Sequence, residues 1–238
     1  ARLNLRRGPR EMRRLARTFD GMFARLETSF LSKKQFTADA SHELRTPVAV
    51  ILAECDRARR KAETKEDFLA SINVIEQQGS KMNTLIEQLL SLTRIQQGTE
   101  KYPLRVCDLS GFVDACCDEF VPADERGMTL ETDIEPGVAA AYNPSLLSRA
   151  MFNLMQNAYK YGREGGHIRV SLCRENGCAV ISVKDDGPGI PKAEQEKIWQ
   201  RFYRCDASRA EGGTGLGLSL VREIALVHHA RAEVVSEP

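Results

Sequence analysis

The sequence predicts an α+β multidomain chain: a long helical hairpin followed by an α/β-sandwich domain. Apolar residues recur at heptad spacing through roughly the first hundred positions. A polar break interrupts that run once, near its middle. Beyond about residue 100 the pattern changes to short strands grouped with helices, as in a layered sandwich.

Met12, Leu15, Phe19, Met22 and Leu26 step by three and four, which is a heptad seam. The register breaks at Ser29 and Lys33, but the helical pattern continues through Phe36, Ala40, Leu44, Ile51 and Cys55. A helix over residues 10–60 of this kind is roughly 75 Å long at 1.5 Å per residue. The stretch Arg59-Arg60-Lys61-Ala62-Glu63-Thr64 reads as a turn, and Thr64 with Asp67 fits a capping pattern. Phe68, Ile72, Ile75, Gly79, Met82, Ile86 and Leu89 then carry a second helix to about Gln97, with Gly98 as its stop. One hairpin does not bury two apolar seams. Two hairpins do, as a four-helix bundle, so the pattern predicts a homodimer.

Further on, Leu104 to Leu109 reads as a strand and Leu109 to Phe120 as a helix. Strands follow near 127–133 and 138–142, then a helix over 144–162. Ile168–Cys173 and Ala179–Lys184 flank the turn Glu175-Asn176-Gly177, a hairpin signal. Leu216–Val227 is a final helix.

Bulk properties narrow the class. The chain has 238 residues, 42% hydrophobic and 28% charged, an ordinary globular balance. A net charge of +1 gives no global attraction to nucleic acid. Arginines crowd the start, from Arg2 to Arg17, against the single acid Glu11. Such a cluster suits an anionic membrane face and, equally, a solvated helix face. No run approaches the roughly 20 apolar residues of a membrane helix. The seven cysteines lack metal-ligand spacing and read as reduced, mostly buried thiols.

The first chemistry lies in Ala40-Ser41-His42-Glu43-Leu44-Arg45-Thr46-Pro47. At about 100° per residue the apolar positions fall between about 120° and 220° from His42, so the imidazole points away from the seam. Glu43 is placed to hydrogen-bond one ring nitrogen and leave the other nucleophilic. Thr46 lies one turn on, and Pro47 predicts a bend. The spacing HExxT lacks the second ligand of a zinc protease.

On the helix over 144–162, Asn153, Asn157 and Lys160 share about 60° of one face, while Leu147, Met151, Met155 and Ala158 take the other. Carboxamide oxygens suit Mg²⁺, and lysine neutralises phosphate. Asp185-Asp186-Gly187-Pro188-Gly189 follows an apolar strand, where a carboxylate can accept from an adenine amino group. Gly213-Thr214-Gly215-Leu216-Gly217 opens a helix and offers backbone N–H groups to phosphate. Neither the dinucleotide fingerprint nor the common P-loop is present. Phe202-Tyr203-Arg204 puts apolar anchors beside a cation, and 203–213 suits a lid.

These motifs, in this order, resemble the sensor histidine kinases of two-component signalling. The segment Ala40–Pro47 is similar to the family's phosphoacceptor box. Asn153, Asn157, Ala158, Lys160 and Tyr161 are similar to its N box, and the two glycine clusters to its glycine boxes. The resemblance implies a HisKA-type dimerisation and phosphotransfer hairpin over 31–98 and a GHKL (Bergerat) ATP-binding domain over 99–238. It implies autophosphorylation of His42 by ATP, with Glu43 orienting the ring and taking its proton. It implies Mg²⁺ on Asn157 and Asn153, phosphates on Lys160, Arg204 and the 213–217 cluster, Tyr161 near the nucleotide, and adenine on Asp185 against Gly187 and Gly189. The phosphoryl group then passes to an aspartate of a response regulator, and Thr46 matches the position linked to dephosphorylating that regulator.

Gly8-Pro9-x-Glu11 with the following seam resembles the second helix of a HAMP module over 1–30. That implies the cytoplasmic portion of an inner- or plasma-membrane protein, attached through segments upstream. Asp186 stands where the family usually has Asn, which predicts added charge near ATP. The ending Val234-Val235-Ser236-Glu237-Pro238 stops before a glycine-rich turn and strand that relatives carry, which predicts an open sheet edge. Two other readings remain: a dimeric scaffold that binds nucleotide without kinase activity, and a gyrase-like ATPase without a histidine acceptor.

Overall fold

The structure is a computed structural model that describes residues 10–61, 64–96, 102–120, 126–205 and 213–237. The start of the HAMP-like segment, Gly98 and most of the expected lid lie outside these residues. The chain divides into two compact units, Ala1–Met82 and Asn83–Pro238.

In the first unit, α1 spans Arg10–Lys61 and α2 begins at Lys65, continuing to Gln96. The predicted turn is thus shorter than its polar composition suggests, because α1 extends to Lys61. Thr64 and Asp67 close a reciprocal cap: the Asp67 carboxylate accepts from the Thr64 N–H at 3.1 Å and the Thr64 hydroxyl accepts from the Asp67 N–H at 3.2 Å. This satisfies groups that a helix start leaves open. Arg57 donates to the Ser71 hydroxyl at 2.9 Å, which joins the two helices. The helix runs on through Pro47. The proline removes one backbone donor without ending α1.

In the second unit, β1 (Arg105–Asp108) leads into α3 (Leu109–Glu119). Strands β2 (Thr129–Ile134) and β3 (Ala139–Tyr142) precede α4 (Pro144–Tyr161). The hairpin β4 (His167–Glu175) and β5 (Cys178–Asp185) follows, and α5 spans Gly217–Val227. One sheet pairs β1 with β3; the other has the order β2-β4-β5, parallel at β2-β4 and antiparallel at β4-β5. Asn176 and Gly177 both take positive φ, 50° and 80°, as the two-residue hairpin turn requires.

Alternation along β4 turns Ile168, Val170 and Leu172 inward, all at most 1% exposed. Val170 and Leu172 meet Val113 of α3 and Met151 and Met155 of α4 in one core, and Ile168 packs with Met128 and Ala158 in a second. These cores anchor the apolar face of α4 and leave its polar face free for chemistry. The cysteines correct the expectation of mostly buried thiols. Only Cys116 and Cys117 are buried, Cys107 and Cys178 are exposed, and the rest are half-buried. All are free. Burial raises the Cys117 thiol pKa to about 11, with the neighbouring Cys116 adding to the shift.

Candidate functional site

Helix α4 is the platform of the second unit. Its start is built by Asn143, whose side chain accepts from the Leu146 N–H at 3.1 Å, with Pro144 at the first helical position. The Asn143 N–H in turn donates to His228 Nε2 at 3.0 Å, tying this start to the end of α5.

At the other end, the Arg126 guanidinium donates to the carbonyls of Tyr159, Lys160 and Gly162, at 2.5, 2.6 and 2.8 Å. It also lies 5.6 Å from the Tyr159 ring centroid. Asn153, Asn157, Lys160 and Tyr161 stand between these ends, all half-buried. The Lys160 ammonium donates to the Tyr161 hydroxyl at 2.9 Å and lies 4.6 Å from that ring's centroid.

The two glycine clusters close on this helix. At Gly187 a Cβ would sit 2.4 Å from the Tyr161 carbonyl oxygen, so only glycine permits the approach. The Asp185 carboxylate accepts from the Gly187 N–H at 2.9 Å and is exposed at the strand end. Gly213 lies against the Lys160 ammonium and Gly217 against the Asn153 carboxamide. Between them Gly215 has φ +66°, and a Cβ there would meet the Phe202 backbone at 2.7 Å. Phe202 itself has φ +60°, and its N–H donates to the Gly215 carbonyl at 2.9 Å. A bulky residue in that region is held by its surroundings. Here the bond to Gly215 is part of that hold.

Leu216 is fully buried, and Thr214 donates from its hydroxyl to Gln88 Oε1 at 2.5 Å. Arg149 of α4 donates to Ser91, and Gln96 donates to Glu223 at 3.1 Å. The last turns of α2 therefore belong to the second unit. Arg204 is half-buried and Gly189 takes φ +73°.

Asp186 is anchored by backbone donors. Its carboxylate accepts from the N–H groups of Arg163 and His167 at 3.1 and 3.0 Å, on the loop between α4 and β4. The His167 bond, with a weaker one from Arg163, holds this carboxyl below its ordinary pKa.

On α1, His42, Glu43 and Thr46 are exposed, while Pro47 is buried and Leu44 half-buried. The Thr46 hydroxyl donates to the His42 carbonyl at 3.4 Å. The imidazole is thus open to solvent on a helix whose apolar residues turn elsewhere.

Sequence reading missed Arg126, Gln88 and His228. Each acts from a distant part of the chain, and no spacing announces it.

An exposed helical histidine in one unit, and a helix-mounted platform with two glycine turns in the other, define the class of two-module phosphotransfer proteins. Residues 32–98 match the His Kinase A (phospho-acceptor) domain, and residues 142–238 match the histidine kinase-, DNA gyrase B- and HSP90-like ATPase family. The chain belongs to the sensor histidine kinases of two-component signalling, and its second unit carries their ATP-binding domain.

Among its relatives, the sensor histidine kinase RppB of Synechocystis is 36% identical over 87% of this chain and 47% of its own length. The sensor histidine kinase YkoH of Bacillus subtilis is 34% identical over 96% and 50%. The chain thus spans about half the length of the curated relatives it matches. The solved Acinetobacter baumannii histidine kinase AdeS shares the fold at TM-score 0.61 and 20% identity, over 78% of this chain and 86% of that one. The histidine kinase ThkA, solved with the response regulator protein TrrA, gives TM-score 0.68 at 23% identity over 87% and 57%.

Proposed function

We propose that this chain is the cytoplasmic catalytic portion of a dimeric membrane sensor, which transfers the γ-phosphoryl group of ATP to His42 and then to an aspartate of a response regulator. The observation that carries this reading is an imidazole left in solvent on α1, in a chain that also assembles α4 and two glycine turns into a nucleotide platform. His42 attacks the γ-phosphorus through one ring nitrogen, forming the P–N bond as the bond to the departing ADP oxygen breaks. Glu43 orients the ring and takes its proton. Lys160 and Arg204 meet the phosphates, the N–H groups of 213–217 cradle them, Tyr161 lies near the nucleotide, and Asp185 and the backbone at Gly187 and Gly189 receive adenine. Thr46, one turn from His42, serves the reverse traffic, dephosphorylation of the regulator.

Among the described residues no group of three His, Cys, Asp or Glu side chains would hold a metal ion. The carboxamides of Asn157 and Asn153 instead fit Mg²⁺, which keeps most of its shell as water and phosphate oxygens. When bound, that ion supplies charge neutralisation on the phosphates. Two α1–α2 hairpins pair through the apolar residues of α1 and α2, and residues 1–30 are taken as the HAMP-like segment, which joins membrane segments upstream. The hairpin module is taken as 31–98 and the ATP-binding module as 99–238.

Labelled Mg-ATP is expected to put acid-labile phosphate on the wild-type chain and none on His42→Gln. Label that persists in His42→Gln refutes the nucleophile. Nucleotide binding with no label on either chain favours the scaffold reading.

A further inference from the structure

A helix end leaves its last carbonyls without intrahelical partners and carries partial negative charge. In α4 that end lies beside the residues meant to receive a triphosphate, which is itself strongly anionic. Three of the last four carbonyls have donors. Ala158 O takes the Gly162 N–H at 2.8 Å. Tyr159 O and Lys160 O take the Arg126 guanidinium, and so does Gly162 O just beyond the helix. Tyr161 O lies against Gly187. Arg126 also uses its own backbone: its carbonyl accepts from the Gly165 N–H at 2.9 Å, on the far side of the same turn. One half-buried residue, entering from the segment before β2, therefore grips both the outgoing and the returning strand of chain.

The grip falls on two peptide groups in particular. The carbonyls of Tyr159 and Lys160 belong to the peptide planes that precede Lys160 and Tyr161. Fixing those planes fixes the direction in which both side chains leave the helix. Lys160 and Tyr161 then hold each other, ammonium to hydroxyl and ammonium over ring, with Gly213 against the ammonium.

We propose that Arg126 is a positioning residue of the nucleotide site: it locks the last turn of α4 so that Lys160 and Tyr161 are already set for the phosphates and base, and so sets nucleotide affinity. This rests on the reading of α4 as the nucleotide platform. Arg126 does not touch the nucleotide itself. Its cation also offsets the helix-end charge that would otherwise face an anionic ligand. The planar fork is needed because three carbonyls in different directions are served by one group; a lysine ammonium reaches fewer of them as a point charge.

The experiment measures binding of a fluorescent ATP analogue to the full chain, its Arg126→Gln variant and its Arg126→Lys variant. Melting curves and initial rates of autophosphorylation over a range of ATP are recorded alongside. Arg126→Gln is expected to weaken binding about tenfold, which is 1.4 kcal/mol, and to raise KM in step. The rate at saturating ATP should stay within about twofold, since the reacting groups are untouched. Arg126→Lys should recover part of the affinity. The proposal is overturned if folded Arg126→Gln binds within twofold of wild type, if the saturated rate falls as far as the affinity, or if Lys does no better than Gln. It is also overturned if neither variant folds, because Arg126 is then a purely structural residue. Failure of the wild-type chain to bind any nucleotide refutes the reading of the platform, and this proposal with it.

Discussion

In α1, Met12, Leu15, Phe19, Met22, Leu26 and Phe30 are 39% to 69% exposed, whereas in the second unit Val113, Met155, Ile168 and Val170 are fully buried. The same kind of side chain is thus treated in two ways within one chain. The second unit buries these side chains in its own core, although Val106, Leu226 and Val235 stay exposed, and leaves polar atoms on one face of α4. The first half of α1 leaves an apolar stripe outward, and His42 is exposed further along the same helix. Surface of that extent is unusual on an isolated unit and belongs to interfaces. If α1 and α2 pair with a second copy as proposed, their stability depends on protein concentration, while that of the second unit's core does not.

The most forceful way to break this contrast is a matched pair of truncations. Met155→Ala is expected to cost the second unit about 2–5 kcal/mol, since a fully buried side chain leaves a cavity. The loss should be the same at every protein concentration. Leu26→Ala is expected to cost less than about 0.5 kcal/mol in dilute solution, but to weaken self-association about tenfold. Urea unfolding and sedimentation over a hundredfold concentration range measure both. A concentration-independent loss for Leu26→Ala would erase the distinction.

A smaller effect sharpens the description of the second unit. Gly215→Ala places a Cβ on left-handed backbone and against the Phe202 main chain. It is expected to cost about 2–3 kcal/mol, combining backbone strain with overpacking. Thermal unfolding should show the loss, and nucleotide binding should fall with it. An unchanged melting curve would mean that the Phe202–Gly215 bond is not a constraint.

The smallest effect changes with pH. Because the folded state holds the Asp186 carboxyl below its ordinary value of 3.8, its contribution to stability is complete above that value. It is lost as pH falls through the lower folded pKa. Asp186→Asn should therefore lower stability near neutral pH, because an amide offers one acceptor oxygen to the two N–H groups, and make acid unfolding less steep below about pH 4. An acid titration of the folded fraction reads this, and identical acid limbs in both chains would refute it.

Much of this architecture was legible in advance, because it rests on periodicity and local rules. The heptad steps, the Thr64–Asp67 cap, the Asn176-Gly177 turn and the two-faced α4 each follow from short-range geometry. The segments around His42, Asn157 and the glycines were legible too, since these residue types stand at fixed spacing. What escaped is long-range. Arg126 meets α4 across more than thirty positions, His228 meets Asn143 across 85, and Gln88 meets Thr214 across 126. Such contacts depend on how elements are brought together, and no single window contains both partners. The cysteines escaped for a related reason: composition does not say which side of a strand faces water.

Along the turn that opens α5, every second residue is glycine, and neighbours already occupy the space where each side chain would begin. Thr214 and Leu216, between them, point into protein contacts of their own. The turn is therefore a surface of bare main chain, sculpted by what surrounds it. A search for variants will find little room for side chains on this turn.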